Sequence, residues 1–159
     1  MNNLLYKIAL NNIPDIGPSK ARLLLSKFGS EEEIFNTSIK SLKNIQGLTE
    51  SNIKKLIRRE KIINQSKQEL EFIRKNKIDV LYFTEDGYPN RLKNCSDAPL
   101  LIFKKGKCNL NKAKILSIVG TRNATDYGKS ICKKLITDLK KHNHDVLIVS
   151  GLAYGIDIT

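Results

Sequence analysis

Ile115-Leu116-Ser117-Ile118-Val119-Gly120-Thr121-Arg122-Asn123-Ala124-Thr125-Asp126-Tyr127-Gly128 decides the second half of the fold. Ile115–Val119 is a β-rich run, and Gly120 closes it. Downstream, Cys132, Leu135, Ile136 and Leu139 stand at i, i+3, i+4 and i+7. That spacing predicts an amphipathic helix over 127–141 with these four on its buried face. Val146–Val149 is a second apolar run, closed by Ser150-Gly151. Strand, helix and strand over so short a span predict a βαβ unit, with parallel strands and a right-handed crossover. Both strands then end at one sheet edge, where open α/β sheets bind ligands.

Upstream, Asp79–Thr84 and Leu100–Phe103 read as strands, separated by the turn Gly87-Tyr88-Pro89. Before residue 78 the apolar period is helical. Helices are expected at 3–12, 18–28, 31–36, 38–44 and 50–76, the last with a break near Ile62–Asn64. Pro18 suits a first helical turn. Gly29-Ser30 stops that helix, and Ser30 with Glu33 predicts a capping box for the next. The chain therefore divides into a helical module, 1–77, and an α/β module, 78–159.

The 159 residues carry 28 basic and 16 acidic groups, a net charge of +12. The excess is shared by both halves, so no basic tail explains it. A polyanionic partner is favoured. No apolar run approaches the ~18 residues that span a bilayer, and Met1-Asn2-Asn3 begins no signal peptide. No membrane partner is expected. Cys95, Cys108 and Cys132 are too widely spaced for a disulfide framework or a zinc site, which points to a reducing cytoplasm with the thiols as packing residues. His142 and His144 supply too few ligands for a metal. No metal and no cofactor is expected.

The loop after Val119 is neither G-x-G-x-x-G nor a Walker A loop. It offers Gly120 for close approach, Thr121 as hydroxyl and N–H, and Arg122 as a planar fork for phosphate oxygens. Thr125 or Asp126 can cap the helix. The loop Ser150-Gly151-Leu152-Ala153-Tyr154-Gly155-Ile156-Asp157 follows the other strand. The two loops should lie side by side and form one anion pocket, with Gly120, Thr121, Arg122, Ser150, Gly151 and Gly155 as its phosphate-binding candidates; the family resemblance given below implies that the phosphate is that of DNA. Asp157 reads as a helix N-terminal residue rather than a catalyst. Tyr127 and Tyr154 are either base-stacking platforms or rim packing. No nucleophile–base set is visible, so no enzyme site has positive support.

In the first half, Ile13-Pro14-Asp15-Ile16-Gly17-Pro18-Ser19-Lys20-Ala21 resembles a helix-hairpin-helix, whose turn aims backbone N–H groups at a phosphate. Asp15 stands where that motif has its first Gly, and its carboxylate would repel a phosphate. Ile45-Gln46-Gly47-Leu48-Thr49 is a second candidate, before a helix with Lys54, Lys55, Arg58, Arg59 and Lys61. Gly17, Lys20, Lys54, Lys55 and Arg58 are therefore candidate DNA contacts. A helical module with a solvated basic face reads equally well.

Tyr88-Pro89, Leu92, Ala98-Pro99-Leu100-Leu101, Gly106, Ile118-Val119-Gly120-Thr121-Arg122, Thr125, Tyr127-Gly128 and Val149–Asp157 in succession resemble the DNA-processing protein A (DprA/Smf) family. The helical half is similar to the sterile-alpha-motif-like or helix-hairpin-helix region of many members. The resemblance implies a Rossmann-like domain with a basic pocket, in which Arg122 contacts DNA phosphate. It implies a non-enzymatic single-stranded-DNA-binding protein of natural transformation, competence and recombination, acting in the cytoplasm. Such a protein protects incoming DNA and helps load the RecA recombinase. Family members form homodimers and continue past the segment equivalent to Thr159. The chain is expected to be an N-terminal portion with an incomplete Rossmann-like sheet, its RecA surface missing, and monomeric on its own. The alternative is a nucleotide-phosphate-binding enzyme of the lysine-decarboxylase-like Rossmann group. A protein-interaction role for residues 1–77 stays open beside both.

Overall fold

The computed structural model describes residues 2–159. Packing divides the chain into two units, one ending at Cys108 and one beginning at Asn109. The first contains α1 (Asn2–Asn11), α2 (Pro18–Phe28), α3 (Glu31–Asn36), α4 (Ile39–Lys43), α5 (Glu50–Ile57), α6 (Arg59–Lys75), β1 (Asp79–Tyr82), α7 (Asn90–Lys93) and β2 (Leu101–Lys104). The second contains β3 (Lys114–Ser117), α8 (Asp126–Lys141) and β4 (Val146–Val149).

Local chemistry sets most helix ends in the first unit. Pro18 opens α2, and Gly29 ends it at φ +81° with its N–H on the Leu25 carbonyl. Ser30 caps α3 by accepting the Glu33 N–H at 3.2 Å. The full reciprocal capping box forms elsewhere, between Thr49 and Asn52 at the start of α5. The expected long helix 50–76 is interrupted at Arg58, four residues before the predicted break. The neighbouring Arg59 explains that position: its guanidinium donates to the carbonyls of Phe35 and Thr37, behind α3.

Two short turns in this unit are copies of one another. Ile16 N–H returns to the Ile13 carbonyl and Leu48 N–H to the Ile45 carbonyl. Asp15 (φ 60°) and Gly47 (φ 100°) hold the same left-handed position. Asp15 thus does by conformation what glycine does in the second copy; short polar side chains tolerate that region best after glycine. The copies also grip each other. Asn52, only 2% exposed, accepts from Lys20 Nζ at 2.9 Å and donates to the Asp15 carbonyl at 3.1 Å. Lys55 forms an ion pair with the Asp15 carboxylate. Asn52→Ala would leave the Asp15 carbonyl and the Thr49 cap without their partner. We expect it to destabilise the first unit by about 2 kcal/mol; chemical denaturation followed by far-ultraviolet circular dichroism checks this.

β1 and β2 pair antiparallel, from Asp79↔Lys104 to Tyr82↔Leu101. Tyr82, Leu100 and Leu101 join the helical core with Ile8, Leu24, Ile34, Leu42, Leu56 and Ile73. The change of apolar period near 77 and the division of packing at 108 are therefore distinct boundaries. β1 is two residues shorter than expected, because Glu85 N–H turns back to the Tyr82 carbonyl at 2.8 Å. Tyr88 is fully buried, and its hydroxyl donates to the Pro99 carbonyl at 2.7 Å. Burial pushes that phenol's pKa up. Arg22 of α2 clamps the same segment through the carbonyls of Ser96 and Ala98. Two of the stretches that carry the family resemblance, Tyr88-Pro89 and Ala98–Leu101, thus serve the architecture of this unit.

In the second unit β3 and β4 run parallel, from Lys114↔Val146 to Ser117↔Val149. α8 connects them, as expected of a βαβ unit. Thr125 is its cap, accepting the Gly128 N–H at 3.1 Å. The predicted buried face of α8 is only partly covered. Cys132 is buried, whereas Leu135 and Ile136 are 41% and 38% exposed. Two strands about 4.8 Å apart are narrower than a helix with its side chains, roughly 10 Å across. Cys95 and Cys108 are exposed, so Cys132 alone is the packing thiol. Among the described residues no helix is long and apolar enough to cross a membrane.

Candidate functional site

The two strand-end loops of the second unit meet. Ile156 N–H donates to the Thr121 carbonyl at 3.2 Å. Gly155, at φ +94°, lies so close to the first loop that a Cβ there would sit 2.1 Å from the Thr121 carbonyl oxygen. A Cβ on Gly120 would fall 2.5 Å from the Ile156 Cβ. These two glycines are needed because one loop's backbone seats on the other.

Asp157 staples the pair. Its Oδ1 accepts the Gly120 N–H at 3.1 Å and its Oδ2 accepts the Gly151 N–H at 3.2 Å. Ser150 Oγ donates to the Asp157 carbonyl at 3.5 Å. Asp157 stands among residues 154–158, which form turns. Its carboxylate sits where the two strand tips converge their donors. The expected anion pocket over the glycine N–H groups is thus already filled from within the chain, and Gly120, Ser150 and Gly151 face Asp157.

What stays open is a groove beside the loops, about 510 Å³ in volume, lined by Arg122, Asn123, Lys129, Lys133, Tyr154 and Gly155 among others. The first loop supplies Arg122, and the second supplies Tyr154 and Gly155. α8 supplies Lys129 and Lys133, one helical turn apart on the same face. Among the described residues neither Arg122 nor Lys133 forms an ion pair. Lys129 meets Asp126 at 3.8 Å, with the Asp126 side chain fully exposed, so that contact is screened by solvent. Arg122 and Tyr154 also line the adjoining groove with Leu152, Ala153 and Ile158.

Apart from Gly120, Ser150 and Gly151, the predicted residues of this unit fall into two groups. Arg122, Gly155 and Tyr154 are brought together at the groove. Thr121 is exposed and off the groove lining, its hydroxyl accepting the Asn123 N–H at 3.2 Å. Tyr127 is 76% exposed but lies off the groove lining. Reading the loops alone misses Lys129 and Lys133. Their signal was present as an i, i+4 pair of cations one turn inside a helix whose cap was recognised.

In the first unit Lys20 and Lys55 meet at one junction, and the other candidates lie elsewhere. Lys20 and Lys55 are engaged with Asn52 and Asp15. Gly17 opens α2 with no side-chain cap, and a Cβ there would meet nothing within 4 Å. Lys54 borders an apolar groove with Ile39, Leu48, Ile53 and Ile57. Arg58 faces a shallow pocket with Arg59 and Lys61. No common site gathers these five.

Comparison with known proteins follows the change of apolar period near residue 77 rather than the division of packing at Cys108. The sequence model described as DNA recombination-mediator protein A matches residues 79–159. The one described as SAM-like helix-hairpin-helix tandem matches 7–69. The chain is 39% identical over 85 residues to the DNA processing protein DprA of Bacillus subtilis, covering 53% of this chain and 28% of the relative. It is 40% identical over 73 residues to the DNA processing protein DprA of Streptococcus pneumoniae, covering 46% and 25%. It is 34% identical over 88 residues to the Protein Smf of Borreliella burgdorferi, covering 54% and 27%. The matched segments span about a quarter of the length of these relatives.

Proposed function

Because the chain belongs to the DNA recombination-mediator protein A family, we propose that its second unit binds the sugar-phosphate backbone of single-stranded DNA along the groove of Arg122, Lys129 and Lys133. The observation that supports this reading is the convergence of three cations and Tyr154 on one open groove from three separate elements. Arg122 offers two parallel donors to a phosphodiester, and the lysines add point charges along the strand. Tyr154, 79% exposed, offers a face on which a base of any identity can stack. Phosphate contacts and stacking carry this mode of binding, which makes it sequence-tolerant.

In this reading the protein is a non-catalytic DNA-processing factor of the cytoplasm, active in competence and recombination. It covers incoming strands and delivers them to RecA. Single-stranded DNA, RecA and a second copy of the protein are the proposed partners. The rival reading, a nucleotide-phosphate enzyme, needs a phosphate at the strand tips, where Asp157 already sits.

Salt dependence tests the proposal. Three neutralised phosphates correspond to a log–log slope of roughly −2 for a single strand, so fourfold more salt should weaken binding by roughly 20-fold. Fluorescence anisotropy with labelled oligothymidylate measures this. A slope near zero, or release of base from nucleoside monophosphate by the intact protein, would refute it.

A further inference from the structure

Open α/β sheets bind ligands in the crevice outside the carboxyl ends of their strands, and backbone N–H groups that converge on one point make a cup for an anion. In this protein Gly120 and Gly151 supply those donors, and the point is taken by the Asp157 carboxylate. The fit is tight: a Cβ on Gly151 would lie 3.1 Å from Asp157 Oδ2. Gly155, in a backbone region that side chains rarely adopt, reverses the chain so that Asp157 reaches back to the strand from which its own loop departs. The loop therefore returns an anion to its own strand tip.

We propose that Asp157 is a specificity-determining residue. Its carboxylate is a built-in anion that bars free or terminal phosphate from the strand tips and leaves the outer groove as the place where phosphate binds. The chemistry of the two ligand classes supports the division. A terminal phosphate carries close to two charges at neutral pH and is best held by converging donors. An internal phosphodiester carries one charge and is met by cations spaced along a groove. A second anion entering the cup would sit against a carboxylate, and like charges sharing a site disfavour each other. Exclusion at the cup stands on the hydrogen bonds alone; the assignment of phosphodiester to the outer groove rests on the function proposed above.

The test uses the intact, ¹⁵N-labelled protein, with inorganic phosphate as one probe and oligothymidylate as the other. In the wild type, phosphate is expected to leave the Gly120 and Gly151 amide signals in place. In Asp157→Ala it is expected to shift both saturably, with an affinity at least about tenfold higher than in the wild type. Wild-type Gly120 and Gly151 signals that move with phosphate as readily as those of Asp157→Ala overturn the proposal. So does a folded Asp157→Ala protein that ignores phosphate. If that variant does not fold, Asp157→Ser removes the charge and empties the cup while keeping a short polar side chain in the loop. Appearance of the phosphate response there supports the proposal, and its absence overturns it. Oligothymidylate should shift the Arg122, Lys129 and Lys133 signals of the wild type. Failure of that arm alone sinks the groove reading and leaves the phosphate contrast standing.

Discussion

Gly155→Ala is expected to release the second loop from the first and to remove most single-stranded-DNA binding. The added methyl would lie 2.1 Å from the Thr121 carbonyl oxygen and 2.6 Å from that of Arg122. Both are backbone atoms, so no rotamer change relieves the clash. The residue also sits at φ +94°, where a non-glycine side chain carries a further cost of about 1 kcal/mol. Overpacking of this kind costs about 1–3 kcal/mol in a closed core. Here the loop can instead peel away, taking Ile156 and Asp157 with it. The expected result is loss of protection at the Gly120 and Gly151 amides in hydrogen exchange and a loss of oligothymidylate affinity of tenfold or more. The first unit should keep its stability, since its core contains no residue after Leu101. Retention of native exchange rates at Gly120 and Gly151 would show that the loops are not seated as described.

Arg122→Ala is expected to have the second largest effect, with folding untouched. Arg122 is exposed, lines both grooves and forms no ion pair among the described residues. Its removal therefore breaks no internal contact seen here. A charge-assisted hydrogen bond to phosphate contributes about 1.5–3 kcal/mol, so affinity should fall between about tenfold and a hundredfold. The salt slope should become shallower by about 0.7. Arg122→Lys keeps the charge without the fork and should recover the slope more fully than the affinity. Anisotropy titrations of all three proteins over a salt series decide the matter. Equal affinity and slope in the wild type and Arg122→Ala would remove Arg122 from the interface.

Much of the fold is legible in short stretches of sequence because the causes are local. Pro18, Gly29 and Ser30 place the ends of α2 and α3 where the reading expects them. Val146–Val149 is the predicted strand, and Thr125 the predicted cap of α8. The break at Arg58 lies away from its expected position because its setting is not local: Arg59 bonds carbonyls more than twenty residues earlier. The same holds for Lys20 and Lys55. On the sequence they are free cations of a basic module, while in space each meets a partner belonging to the opposite hairpin.

The site divides along this line. Amino-acid order alone determined that the chain has a helical part and a part with a βαβ unit, that two glycine-bearing loops leave parallel strands at one edge, and that Arg122 lies on the first of those loops. Those conclusions follow from apolar period and glycine placement, which act over a few residues. Only the tertiary structure decided what fills the strand tips. The Asp157 carboxylate bonds a backbone group 37 residues away, and no spacing rule encodes a return of that length. It likewise took folding to turn Lys129 and Lys133 toward Tyr154. A charge becomes part of a site only when a separate element is packed beside it.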